Sequence, residues 1–111
     1  MDITEHKVGA VVVVRPAGAL VATGAEHLRN RVQTLATEEM GRVVVDMEAV
    51  AFLDSRGIEA LLDASDVLAR TGMTLRVCGT TATVIEVLHL TGAAESLEFH
   101  PDSNSAVRSF L

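Results

Sequence analysis

The chain has 111 residues, 49% of them hydrophobic, which is enough for one core that removes roughly 65% of the unfolded surface from water and leaves no room for a second domain. Its formal net charge is −6, from nine basic and fifteen acidic residues, and its only aromatics are three phenylalanines. A nucleic-acid partner is excluded on those numbers, because phosphate contacts need a surplus of Lys and Arg and single strands also need aromatic platforms.

The chain starts Met1-Asp2-Ile3-Thr4-Glu5, acidic where a signal peptide is basic, so a cytoplasmic protein is expected. Ile3 to Val8 and Ala10 to Arg15 are β-prone runs parted at Gly9, the pattern of a hairpin, with Pro16 expected to end the second strand. The apolar run Val8 to Val14 falls far short of the ~20 residues of a membrane span. Thr23-Gly24-Ala25-Glu26 fits a capping box, and Ala25, Leu28, Val32 and Leu35 follow as an apolar stripe at helical spacing up to Gly41. Arg42 to Met47 is a nearly continuous apolar run, as expected of a central strand covered on both faces. From Ile58 the period becomes helical: Ile58, Leu61, Leu62, Ser65, Leu68 and Ala69 fall on one side, Glu59, Asp63, Asp66 and Arg70 on the other.

Gly72 is expected to end that helix in a left-handed conformation, and Thr74 to Cys78 reads as the next strand. Cys78, the lone cysteine, is expected to be a small buried hydrophobe. Val84, Val87 and Leu88 define a third helix, with Thr83 and Glu86 as a second capping box. Leu97 to His100 reads as a short edge strand, and Pro101-Asp102-Ser103 opens a last helix whose apolar positions are Ala106, Val107, Phe110 and Leu111. The series predicts a single α/β domain over residues 1–111: a mixed, mostly parallel sheet of four or five strands with about four helices.

Chemistry along the chain is sparse. The segment Phe52-Leu53-Asp54-Ser55-Arg56-Gly57-Ile58 lies where a loop enters the second helix, and Asp54 or Ser55 is placed to cap it. Ser55 as a nucleophile would need the elbow Gly-x-Ser-x-Gly, but Leu53 holds the place of the first glycine and no histidine is tied to Ser55 by spacing. No two histidines stand three or four apart, and Glu86 with His89 supplies at most two ligands, so no metal site is expected. The glycines form no phosphate loop and no dinucleotide fingerprint, and no cofactor is expected. What remains is a surface. Residues 38–66 hold eight carboxylates against Arg42 and Arg56, so this quarter of the chain carries the whole imbalance. Glu59, Asp63 and Asp66 set three like charges on one helical stripe, slightly unfavourable for folding and favourable for a basic partner.

The order of elements and the Asp54-Ser55-Arg56-Gly57 turn together resemble the STAS family, with support from Val43-Val44-Val45-Asp46, Leu75-Arg76-Val77-Cys78-Gly79, Val84 to Gly92 and Phe99-His100-Pro101. The resemblance implies a non-enzymatic, cytoplasmic module of the anti-sigma factor antagonist kind. Such a module docks through the turn and the helix behind it, here Asp54, Ser55, Arg56, Gly57, Glu59, Asp63 and Asp66, on an anti-sigma factor that is also a serine kinase. An alternative within the family is a cytoplasmic subunit of an ABC-type lipid-transport system, docking on its ATPase. The family's phospho-acceptor immediately precedes the motif glycine. That position is Arg56 here, so Ser55, one place earlier, is the residue left as a candidate for phosphorylation. The family's acidic loop after the second strand reads Gly18-Ala19-Leu20-Val21, without either carboxylate.

Overall fold

A computed structural model describes residues 1–111. The chain runs β1 (Asp2–Val8), β2 (Val11–Ala17), α1 (Ala22–Glu38), β3 (Val43–Asp46), α2 (Ser55–Ala69), β4 (Leu75–Cys78), α3 (Ala82–Leu90), a 3-10 turn (Ala93–Ser96), β5 (Leu97–His100) and α4 (Ser103–Arg108). The five strands form one sheet in sequence order; β1 is antiparallel to β2, and β2 through β5 are parallel. This is the mixed, mostly parallel α/β sheet that the alternation of periods predicts.

Side chains alternate across each strand, and the two faces are covered differently. Val12, Val14, Val43, Val45, Leu75 and Val77 pack in one cluster with Leu28, Val32 and Leu35 of α1, Leu61 and Leu68 of α2, and Val84 and Leu88 of α3. Val11, Val13, Val44 and Cys78 point the other way, against Ala106 of α4, with Val107 and Phe110 beside them. All four residues of β3 are buried, which is why Val43, Val44 and Val45 run without alternation, and the buried Asp46 at its end is matched by Arg15 at 3.3 Å. Arg76 fastens the C-terminal segment: its Nε donates to Ser109 Oγ at 2.5 Å, and its guanidinium carbon lies 3.7 Å from the centre of the Phe110 ring. On the outer strand, Glu5 takes a two-pronged hydrogen bond from Arg31 of α1, which holds the Glu5 carboxyl below its ordinary range.

Several local expectations change. Pro16 does not end β2, which continues to Ala17; the β2–β3 ladder stops at Val14, so a residue without an N–H sits where that ladder needs no donor. Thr23 caps nothing. Val21 is the N-cap of α1 and Ala22 enters the helix with φ +49°, which places Thr23 inside the first turn. Thr83 is likewise inside α3, whose cap is Thr81, accepting from the Val84 N–H at 3.4 Å. Ala69 is exposed, and the buried stripe of α2 runs instead through Gly57, Ala60, Leu61, Ala64, Ser65 and Leu68. Small residues win there because α1 packs closely along that face, while Ile58 and Leu62 are left half-buried. Leu111 is fully exposed rather than packed. Gly72 has φ +76° just after α2, as expected.

Candidate functional site

The turn before α2 is built by two loops that close on each other. After β3 the chain runs outward, and it is tied to the loop after β2 by the Gly18 N–H donating to the Ala49 carbonyl at 3.1 Å and the Leu20 N–H donating to the Phe52 carbonyl at 2.9 Å. Leu20 and Leu53 form an isolated parallel bridge, and both side chains are buried. Gly57 makes the closure feasible: a β-carbon there would overlap the Leu20 carbonyl oxygen and lie 2.9 Å from Leu53 Cβ.

Asp54, not Ser55, caps the helix. Its Oδ1 accepts from the N–H groups of Arg56 and Gly57, both at 3.0 Å, and its carbonyl takes the Ile58 N–H at 3.0 Å. Ser55 and Arg56 are exposed in the first turn, and neither side chain makes a hydrogen bond or an ion pair within the protein. A cation in this place opposes the helix dipole by about 0.3–1 kcal/mol, offset in part by the Asp54 carboxylate. Ser55 therefore has no base on its hydroxyl. Cys78, the only thiol, is buried, and burial, reinforced by the Asp46 carboxylate, pushes its pKa up to about 12, so it stays protonated at neutral pH.

The carboxylates predicted to form one exposed stripe are divided. Asp63 is half-buried and turns toward α1, where Arg29 lies 3.7 Å from it and 3.7 Å from Glu26. Glu59 is exposed and shares with Arg56, Glu26, Arg29 and Asp63 the walls of a groove of about 230 Å³ between α1 and α2. Asp66, one turn further on, is exposed and lies outside that groove. The structure thus brings Arg56, Glu59 and Asp63 together, keeps Asp54 and Gly57 beneath them as supports, and leaves Asp66 apart.

Three neighbours of the turn are not among the site residues expected from the sequence. Glu26 and Arg29 complete the groove from α1, and their i, i+3 spacing marks a pair without saying which helix it faces. Phe52, 57% exposed, stands immediately before the turn. An apolar side chain beside a polar turn was the signal available for it.

A family model for the STAS domain matches residues 2–106. The chain belongs to the STAS family. Solved structures carry the same fold across nearly the whole chain. An anti-sigma factor antagonist from Mycobacterium paratuberculosis superposes with a TM-score of 0.82 at 21% identity, covering 97% of this chain and 92% of that one. An anti-sigma-factor antagonist (STAS) domain protein from Planctomyces limnophilus gives 0.80 at 20% identity, with 98% and 97% covered. The Bacillus cell fate determinant SpoIIAA in its phosphorylated form gives 0.75 at 18% identity, with 99% and 100% covered. At these identities the likeness is one of fold: this STAS domain has the architecture of an anti-sigma factor antagonist. No helix of it is long and apolar enough to cross a membrane.

Proposed function

We propose that this STAS domain is a non-enzymatic regulator that docks on a protein partner, an anti-sigma factor of the kinase type, through the turn Asp54-Ser55-Arg56-Gly57 and the outer face of α2. The observation that carries the reading is the exposed, unpaired guanidinium of Arg56, held on a rigid turn at the mouth of a groove otherwise rich in carboxylate. Rigidity matters because a docking surface already in its bound shape loses little conformational freedom on association. Asp54 and Gly57 act as supports; Arg56, Glu59 and Asp63 set the charge pattern, and Asp66 extends it. Arg56 stands at the position the family uses as acceptor, so binding is constitutive on this reading, and Ser55 is not the switch.

The test is affinity for the anti-sigma factor kinase of the same organism, measured by calorimetry. Reversing Arg56 to Glu, or Glu59 and Asp66 to Arg, is expected to weaken binding at least tenfold with the fold intact by circular dichroism, as for charges at the edge of an interface. Stoichiometric phosphorylation of Ser55 by that kinase with loss of binding would overturn the constitutive reading. Capture of an ABC-type ATPase in place of the kinase would replace the partner.

A further inference from the structure

The sheet has a topological switch point far from Arg56 in sequence. The chain leaving β4 passes to α3 on the face covered by α1 and α2, whereas the chain leaving the neighbouring parallel strand β5 passes to α4 on the opposite face. In open α/β sheets a crevice forms where adjacent strands send their connections to opposite sides, outside their carboxyl ends, and that crevice is the usual place for a ligand. Such a crevice is present. The last ladder bond runs from the Gly79 N–H to the His100 carbonyl at 3.3 Å, and beyond it opens a space of about 370 Å³, at the lower end of the roughly 300–1,000 Å³ usual for small-molecule sites.

Its walls are chemically specific. Ile85, Phe99 and Pro101 supply carbon surface, and Thr80 and His100 supply polar groups. The Thr80 hydroxyl oxygen is shut off from solvent and has no partner within the protein, the one side-chain polar atom in that condition. Leaving such a group unmatched is costly, and rotation of a threonine about χ1 exchanges its hydroxyl and methyl between staggered positions. The His100 ring is fixed through Nε2, 2.6 Å from Glu98 Oε1. The surroundings are acidic. Asp46 and Glu48, which share Arg15 at 3.3 and 3.6 Å, crowd the Gly79 side, where a β-carbon would lie 3.2 Å from Asp46 Oδ1 and 3.1 Å from Glu48 Cβ, and Asp102 follows Pro101. Three carboxylates against one arginine leave a net negative field that disfavours an anion, the Phe99 and Pro101 rings in the wall offer surface to a flat molecule, and the free hydroxyl calls for an acceptor.

We infer that the crevice between the carboxyl ends of β4 and β5 binds a small, flat, uncharged heteroaromatic compound, whose ring lies against Ile85, Phe99 and Pro101 and whose acceptor atom takes the Thr80 hydroxyl. The site is separate from the docking turn, so it stands whether or not the partner proposed above is correct.

Isoquinoline and indole are suitable probes, because they are alike in size and shape but only the first presents a ring-nitrogen acceptor. Titrated above pH 7 into the isotope-labelled protein, isoquinoline is expected to shift the amides of Gly79, Thr80, Phe99 and His100 saturably, with a dissociation constant below about 1 mM. Indole is expected to bind more weakly, and inorganic phosphate not to compete. Thr80→Val keeps the shape and removes only the hydroxyl. It is expected to bind isoquinoline roughly tenfold more weakly while melting no lower than the parent. Ile85→Trp, which fills the crevice, is expected to abolish the shifts. The inference is overturned by the absence of saturable shifts at these amides, by equal binding of both probes, by competition from phosphate, by undiminished binding to Thr80→Val, or by a large drop in its melting temperature, which would give the hydroxyl a structural role.

Discussion

Gly57 and Gly24 are both helical glycines, and the structure assigns them opposite responses to alanine. On an open helix face Gly→Ala gains about 0.8–1 kcal/mol from backbone entropy and helix propensity. At Gly24 of α1 a new methyl would meet only Met1, at 3.1 Å from its Cβ and 3.3 Å from its Sδ, and Met1 is a flexible, 44% exposed terminal residue that can move aside. Gly24→Ala should therefore keep most of the gain. At Gly57 the methyl would overlap the Leu20 carbonyl oxygen and press on Leu53 Cβ at 2.9 Å and Leu20 Cγ at 3.3 Å. Neither loop can yield freely, because the bonds from Gly18 to Ala49 and from Leu20 to Phe52 fix one against the other. Overpacking of a tight site costs about 1–3 kcal/mol, and breaking one of those bonds adds about 1 kcal/mol, so the net loss after the propensity gain is about 1–3 kcal/mol. For a domain of this size that lowers Tm by roughly 5–15 °C, while Gly24→Ala raises it by a few degrees. Urea and thermal unfolding followed by far-ultraviolet circular dichroism give both values. A Gly57→Ala protein as stable as the parent would refute the close approach of the two loops, and with it the rigid turn on which the docking proposal depends.

Two further outcomes follow from the same geometry. Asp54→Ala removes an acceptor shared by two amide groups and should destabilise the protein by about 1–2 kcal/mol in urea unfolding, whereas Ser55→Ala, whose hydroxyl caps nothing, should stay within about 0.5 kcal/mol of the parent. Burial of Cys78 raises its folded pKa to about 12, above the ~8.5 of an exposed thiol, so the unfolded chain loses this proton first. The associated stability is intact below about pH 8.5 and declines as pH rises toward 12. Between pH 7 and pH 10 the parent should lose about 2 kcal/mol that Cys78→Ala does not lose, and a thiol reagent at pH 8 should label the native protein only at its unfolding rate.

Elements whose apolar period is unambiguous are legible in this sequence. Val43 to Asp46 announces a strand buried on both faces, and Leu28, Val32 and Leu35 mark one side of a helix, because burial in those places depends on local pattern alone. The cap of α2 was legible in Asp54, but those of α1 and α3 were not. Thr23 and Thr83 satisfy the spacing of a capping box, but which residue precedes the first helical turn depends on backbone dihedrals set by the incoming loop, as the positive φ of Ala22 shows. The buried side of α2 was half legible. Hydrophobicity singles out Ile58 and Leu62, yet the closest packing with α1 needs Gly57, Ala60 and Ala64, whose value lies in what they lack. The turn itself could be placed from sequence, while its surroundings could not. Arg29 reaches Asp63 across two helices, and Thr80 lines one crevice with Phe99 and His100 of β5, and no periodicity carries such pairings.

The charge at the turn bears on how the docking surface would be regulated. The Arg56 and Gly57 amides that make a helix N-terminus attractive to an anion are already taken by Asp54 Oδ1. A phosphate on Ser55, carrying about −1.5 to −2 charges, would find those donors occupied and a carboxylate beside it, so it would gain little from the helix while repelling an acidic partner surface. A seryl phosphate at position 56 would present that same negative charge at the mouth of the groove, where Arg56 presents one positive charge. The two states differ by about three charges at a single exposed point. On the proposed reading the partner of this chain must therefore offer Arg56 a carboxylate rather than a neutral contact. Arg56→Ser, which restores the hydroxyl type that the family pattern places there, should weaken binding to that partner even without phosphorylation, and Arg56→Lys, which keeps the charge but loses the planar fork, should weaken it less. Tighter binding of Arg56→Ser would mean that the cation is an obstacle to docking, and the groove would then have to recognise its partner through Glu26, Glu59 and Asp63 alone.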